Sequence, residues 1–321
     1  MSKTIKIWLI VAVVLMLIGC IMFAGVMARL NWNFASLSND QHETNEYQLS
    51  EDFRSISIVA DTADIVFVPS ENTTSRVVCY EQANQKHSVT VKDDVLVIEV
   101  VDERKWYESI GFNFGDSKLT VYLPEGEYGA LSIESDTGDV EISNDFQFES
   151  VEISEHTGDV TNYASASGEM KIKTTTGDIR VEDVSAGALA LSVSTGRVTA
   201  SNITCAGDVT VNVSTGKAFL TDVVCKGVTS RGNTGDISLK NVIASGTFSI
   251  ERSTGDVELE GSDAAEIFVT TDTGDVKGTL LSEKVFIVQT DTGRVIVPNS
   301  MAGGRCEITT DTGDIKISIV G

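Results

Sequence analysis

Proline, histidine, aromatic side chains and positive charge are all in short supply in this sequence. Its 321 residues include 3 Pro, 3 His and 7% aromatics. The histidines (His42, His87 and His156) are too few and too scattered for a His-rich metal centre. Lys and Arg total 24 against 47 Asp and Glu, a formal charge of −23. Residues 1–28 contain Lys3 and Lys6 and no acid, so the remainder carries −25. A body that acidic repels phosphate backbones, which excludes nucleic acid as a partner. The length alone suggests about two domains. Glycine reaches 27, and Val, Ile and Thr abound. Such β-branched usage favours strands over helices.

Only one long apolar run is present. Residues 7–28, IWLIVAVVLMLIGCIMFAGVMA, carry no charge. At 1.5 Å per residue they span roughly 33 Å, enough to cross a hydrocarbon core. Lys3 and Lys6 precede the run, and Arg29 alone follows before the chain turns polar and acidic. The positive-inside rule then keeps residues 1–6 in the cytoplasm and exports the rest. An alternative is a lipoprotein anchored at Cys20, because Leu17-Ile18-Gly19-Cys20 resembles a lipobox. Against it, the apolar run continues through Met27, where a lipoprotein turns polar. Residues 29–50 read as a polar linker.

Internal periodicity decides the fold. Thr-Gly recurs with its Thr at 137, 157, 176, 195, 215, 234, 254, 273, 292 and 312. Six residues before each Thr sits an apolar residue, from Leu131 and Val151 to Phe286 and Cys306. Four before, the residue is aliphatic everywhere except at Ser230. Three after, from Val140 to Ile315, it is always aliphatic, and five after it is apolar except at Asn162 and Gly278. Each unit reads as a period-two strand, a turn, a second period-two strand and a return corner. Units of 19 or 20 residues cannot bury an apolar face alone, but stacked they share one core. The fold expected is an all-β parallel β-solenoid (β-helix) of about ten coils over 131–321. At about 4.8 Å per coil it would be roughly 48 Å long. Residues 51–130 read as a degenerate β region that caps one end, with Asp61-Thr62-Ala63-Asp64 standing in for a turn.

An N-terminal anchor, strands ending in Val121-Tyr122-Leu123-Pro124, and serial Ser/Asp-Thr-Gly-Asp-Val/Ile turns together resemble the putative-adhesin family of bacterial β-strand-repeat proteins. The resemblance covers about residues 50–321. It implies a β-solenoid outside the cytoplasm, common in Gram-positive bacteria and sometimes associated with envelope-stress systems. It implies no established catalytic residues, and the family is a domain of unknown function.

After each Thr-Gly stand Asp139, Asp159, Asp178, Arg197, Lys217, Asp236, Asp256, Asp275, Arg294 and Asp314. The plain reading is turn chemistry: Gly supplies positive φ, and Asp and Thr bond the local backbone. Adjacent carboxylates about 4.8 Å apart repel by roughly 0.9 kcal/mol in bulk water, and the interspersed bases shorten the acidic runs. The alternative is calcium, for which Asp136 with Asp139, Asp272 with Asp275, and Asp311 with Asp314 offer paired acids. The glycine-rich calcium nonapeptide is absent. Thr stacks also suit ice binding, but their neighbours are charged.

Cys205 and Cys225 fall ten residues after their Thr, in a slot filled elsewhere by Ala186, Ala244 and Ala264. A buried thiol pair is expected there rather than a disulfide, and no cysteine shows metal-ligand spacing. Residues 102–118 interrupt the pattern and concentrate Trp106, Tyr107, Phe112 and Phe114. These either plug the core or contact a partner. No catalytic triad or distinct carboxylate pair can be assembled, and no cofactor is implied. The expectation is a non-enzymatic, membrane-anchored module outside the cytoplasm, serving adhesion, scaffolding or envelope-stress sensing toward an envelope protein or glycan. The alternatives are a carbohydrate-active β-helix enzyme and a calcium-dependent surface module. End-to-end self-association through an uncapped last coil at Gly321 is a further expectation.

Overall fold

The computed structural model describes residues 3–29, 32, 42–83, 85–102 and 117–320. The apolar run lies in the helix Lys3–Arg29, within which Ile5–Arg29 is long and apolar enough to cross a membrane. Everything described from His42 onward is β structure around one core.

The ten units stack as parallel coils. The strand before each turn pairs in register with its equivalents, Val151 with Leu131 and with Met170. The strand after the turn does the same, Val160 with Val140 and with Ile179. The aliphatic ladders therefore point into one interior, where Leu131, Ile172, Leu220 and Ile250 are almost wholly buried. Burying roughly 1.5–3 kcal/mol of transfer free energy per such side chain is what a single coil cannot do alone. Asn162, a departure from the ladder, is also buried, and its Nδ2 donates to the Ala164 carbonyl at 2.8 Å.

At the N-terminal end the spatial order departs from chain order. Strands Ser55–Thr62 and Asp64–Pro69 form a coil on the first Thr-Gly unit, with Ile56 against Leu131 and Ile65 against Val140. Strands Val95–Asp102 and Lys118–Leu123 then pair on the outside of that coil. Three antiparallel strands flank this outer coil. Ser75–Gln82 pairs with Lys118–Leu123, Gln85–Lys92 with Val95–Asp102, and His42–Leu49 with Ser75–Gln82. The stretch expected as linker thus supplies an edge strand at His42–Leu49. Its polar pattern concealed this: as an edge strand it packs only Tyr47 and Leu49 against the core. The aromatic residues Trp106, Tyr107, Phe112 and Phe114 lie outside the described residues.

The C-terminal end is permuted as well. The last unit of the chain, Gly304–Thr312 with Ile315–Ile319, pairs directly onto the unit that ends at Thr273. The unit of Lys284–Thr292 and Val295–Ile296 lies outside it. The chain's last described coil is therefore clamped between two others, so the open coil is not the last one in the chain, as expected, but residues 284–297.

Candidate functional site

The turn edge is a ladder of hydrogen bonds between coils. Each turn Gly has strongly positive φ, for example 136° at Gly138 and 137° at Gly216. An added Cβ at Gly216 would lie 1.8 Å from the carbonyl oxygen of Gly196, so the close stacking of corners requires glycine. The Asp that follows accepts the backbone N–H of the equivalent residue in the next coil. Asp139 accepts from Asp159 at 2.8 Å, Asp159 from Asp178 at 2.7 Å, and Asp178 from Arg197 at 2.7 Å. The series resumes with Asp236, Asp256 and Asp275, which accept from Asp256, Asp275 and Asp314.

Arg197 and Lys217 carry no acceptor and interrupt the ladder, pairing instead with Asp178 at 3.9 Å and Asp236 at 2.9 Å. The Lys217 ammonium and the Asp256 amide hold the Asp236 carboxyl below its usual range. Arg294 belongs to the outermost coil, where among the described residues no further coil offers an amide. Its own amide and guanidinium both bond Asp314, the latter at 2.7 Å. Of the paired acids, Asp139, Asp275 and Asp314 are engaged in this ladder, while Asp136, Asp272 and Asp311 are exposed beside it. Among the described residues, no three of the turn acids bring ligand atoms within 4.8 Å of one another.

A second corner, missed in the sequence, runs parallel to the first. Asp183, Asn202, Asp222 and Asn241 adopt left-handed backbone with φ between 53° and 57°. Asn202 donates to Asp183 and Asn241 to Asp222, both at 2.9 Å. Asp and Asn tolerate this conformation best among side-chain-bearing residues. Their alternation at 19- and 20-residue spacing was the available signal.

Two further polar groups are buried inside the column, the first of them beside the sequence exception Ser230. Arg252 is 4% exposed, and its Nη2 donates to Ser230 Oγ at 2.8 Å. Ser230 in turn donates to the Val211 carbonyl at 3.1 Å. Gly232 leaves the space, since a Cβ there would lie 1.9 Å from Arg252 Nη1. Burial lowers the Arg252 guanidinium to about 10. Glu155 is 2% exposed with neither oxygen in a hydrogen bond of good geometry, and burial, only partly offset by the nearby Ser135 hydroxyl and the Thr157 and His156 amides, pushes its carboxyl up to about 7.

In the N-terminal cap, Cys79, Glu81 and His87 each place a ligand atom within 4.8 Å of the others. No sequence spacing announced this group, because the turn between two strands assembles it. Glu81 accepts from Asn45 Nδ2 at 2.7 Å and from the His87 amide at 2.6 Å, and His87 Nδ1 lies 2.7 Å from the same carboxylate. Tyr47 donates to the His87 carbonyl at 3.0 Å. Burial, with the Glu81 charge, pushes the Cys79 thiol up to about 12. With its carboxylate saturated and its thiol protonated, the cluster ties the edge strand His42–Leu49 to the cap. Cys205 and Cys225 are free and buried, and burial pushes the Cys225 thiol up to about 12.

Fold and corners together define a parallel β-solenoid whose repeated acids join coil to coil. A family model described as Toastrack DUF4097 matches residues 53–214 and 204–321. The chain belongs to that family. Among solved structures it is similar to a putative lipid binding protein from Parabacteroides distasonis ATCC 8503, at 14% identity, covering 87% of this chain and 97% of that one, with a TM-score of 0.49. It is also similar to a putative adhesin from Bacteroides fragilis NCTC 9343, at 15% identity, 88% and 99% coverage and a TM-score of 0.41. No curated protein matches it.

Proposed function

We propose that this protein is a non-enzymatic binding module, held at the cell membrane by its helix with the solenoid outside the cytoplasm. Its role is adhesion, scaffolding or envelope-stress sensing. One observation carries the reading. The residues repeated along the rod, which would be the obvious candidates for chemistry, are spent on joining one coil to the next. What remains for a partner is a stiff acidic surface, on which many weak contacts sum to useful avidity. Lys3 and Lys6 before the helix favour this orientation.

The test is capture of a partner from envelope extract by the full chain, alongside an assay on wall glycans. Saturable capture without turnover is expected. Glycan turnover that disappears in Asp236→Ala, Asp256→Ala and Asp275→Ala variants would replace this reading with an enzymatic one.

A further inference from the structure

The two ends of the rod are treated differently. Antiparallel strands flank the outer coil at the N-terminal end, but nothing pairs with the outer edges of Lys284–Thr292 and Val295–Ile296 among the described residues. Unpaired strand edges are normally blunted by charge, proline or a covering element. Here Asp291, Arg294 and Pro298 flank the edge, but its two strands also expose apolar side chains. The position three after Thr is almost wholly buried in the other nine units, yet Val295 is 42% exposed because no coil lies over it.

The outward-facing positions change character too. Five before Thr, the other units carry Ser132, Glu152, Lys171 or similarly small or polar residues, apart from Phe268, which sits under Arg305. The open coil has Ile287 there, 50% exposed. Seven before Thr it has Val285 where others have Ser150, Asp208 or Glu266, and four after it has Ile296, 55% exposed, where the others are polar, as at Glu258 and Lys316, except for Phe219. Leu281 and Met301, the latter 95% exposed, are exposed apolar residues in the segments that flank this coil in the chain.

We propose that this open end is a self-recognition surface at which two copies of the chain meet tail to tail. The inference deepens the binding-module reading, on which its role in contact between surfaces rests. Three observations select a second copy. The opposite end is flanked by antiparallel strands, so head-to-tail stacking of coil on coil is blocked and a closed, two-fold pair remains. Turning one copy over makes Lys284–Thr292 antiparallel to its counterpart. Centred on Val288, that register sets Ile287 against Gln289 and Val285 against Asp291, with no like charges opposed. Finally, Glu283, Lys284, Asp291 and Arg294 cancel in charge, while residues after 28 carry −25. Two acidic rods thus meet through a neutral end. Lys284 is moreover buried against Asp263 at 2.6 Å.

The experiment is sedimentation of the full chain in detergent micelles over a concentration series. The wild type is expected to form a concentration-dependent dimer. Ile287→Lys with Ile296→Lys should raise the dissociation constant by about tenfold or more, since each replaces an apolar contact across the seam with a charge that has no opposite partner there. At concentrations low enough for the wild type to be monomeric, its melting midpoint should match the wild type. Met301→Glu, at a side chain free of packing, is the second variant and should weaken the pair in the same direction. A wild type that stays monomeric overturns the proposal, as does a dimer that survives in both variants and therefore forms elsewhere, for example through the helix. Either result leaves the binding-module reading standing. Glycan turnover, or no envelope partner for the monomeric variant, would count against that reading and leave the dimer intact.

Discussion

Replacing the turn acids discriminates between a ladder of hydrogen-bond acceptors and a row of cation ligands. Consider Asp139, Asp159 and Asp178, each accepting one amide from the next coil at 2.7–2.8 Å. Alanine removes the acceptor and leaves an exposed amide to water, at about 1 kcal/mol per site. The triple alanine variant should therefore lose about 3 kcal/mol, or about 6–12 °C in melting midpoint at 2–4 °C per kcal/mol. Asparagine keeps Oδ1 in place and gives up only the charge. It also removes repulsion of roughly 0.9 kcal/mol per neighbouring pair in water, less when screened by salt. The triple asparagine variant should then melt within about 1 kcal/mol of wild type. Thermal unfolding of the full chain with and without chelator is the assay. Asparagine variants as damaged as alanine ones, together with a wild-type midpoint that drops on chelation, would refute the ladder and favour calcium.

Three further outcomes follow from single sites. Glu155 ionises near 4.5 when unfolded and near 7 in its buried site, so the folded state holds the extra proton and stability falls as pH rises between those values. Glu155→Gln should abolish that slope and stabilise the protein at pH 8 by up to about 3 kcal/mol, measured by denaturant titration against pH. Gly216→Ala forces a side chain into φ 137° and against the Gly196 carbonyl, and should cost about 3 kcal/mol or more, measured as a fall in melting midpoint. Cys205→Ala with Cys225→Ala should shift the midpoint by less than about 1 kcal/mol per site, because the slot already holds Ala244 and Ala264, and the native thiols should react with alkylating reagents only on unfolding.

How much was legible can be judged from particular residues. The ladders from Val140 to Ile315 were readable because a repeated environment leaves a repeated residue, and the period of 19 or 20 alone implies stacking. Even the exceptions carried meaning. Ser230 broke its ladder to receive a guanidinium, and Gly232 made room for it, but only proximity shows that Arg252 is the residue served. The cap was harder. Glu81 and His87 lie in a stretch without repeat, and their partners Asn45 and Tyr47 come from a segment too polar to announce a strand.

Local pattern, then, determined the coil: strand, glycine corner, acidic acceptor and strand are all short-range consequences of side-chain alternation and backbone freedom. The order in which coils stack was decided only in three dimensions. Similar coils present nearly identical edges, so nothing local says that the last unit must insert beneath the one before it, or that residues 95–102 and 118–123 must lie outside 55–69. That choice belongs to the ends, where loops, caps and buried pairs such as Lys284 with Asp263 break the equivalence. It is also what leaves Val285, Ile287 and Ile296 on an open edge.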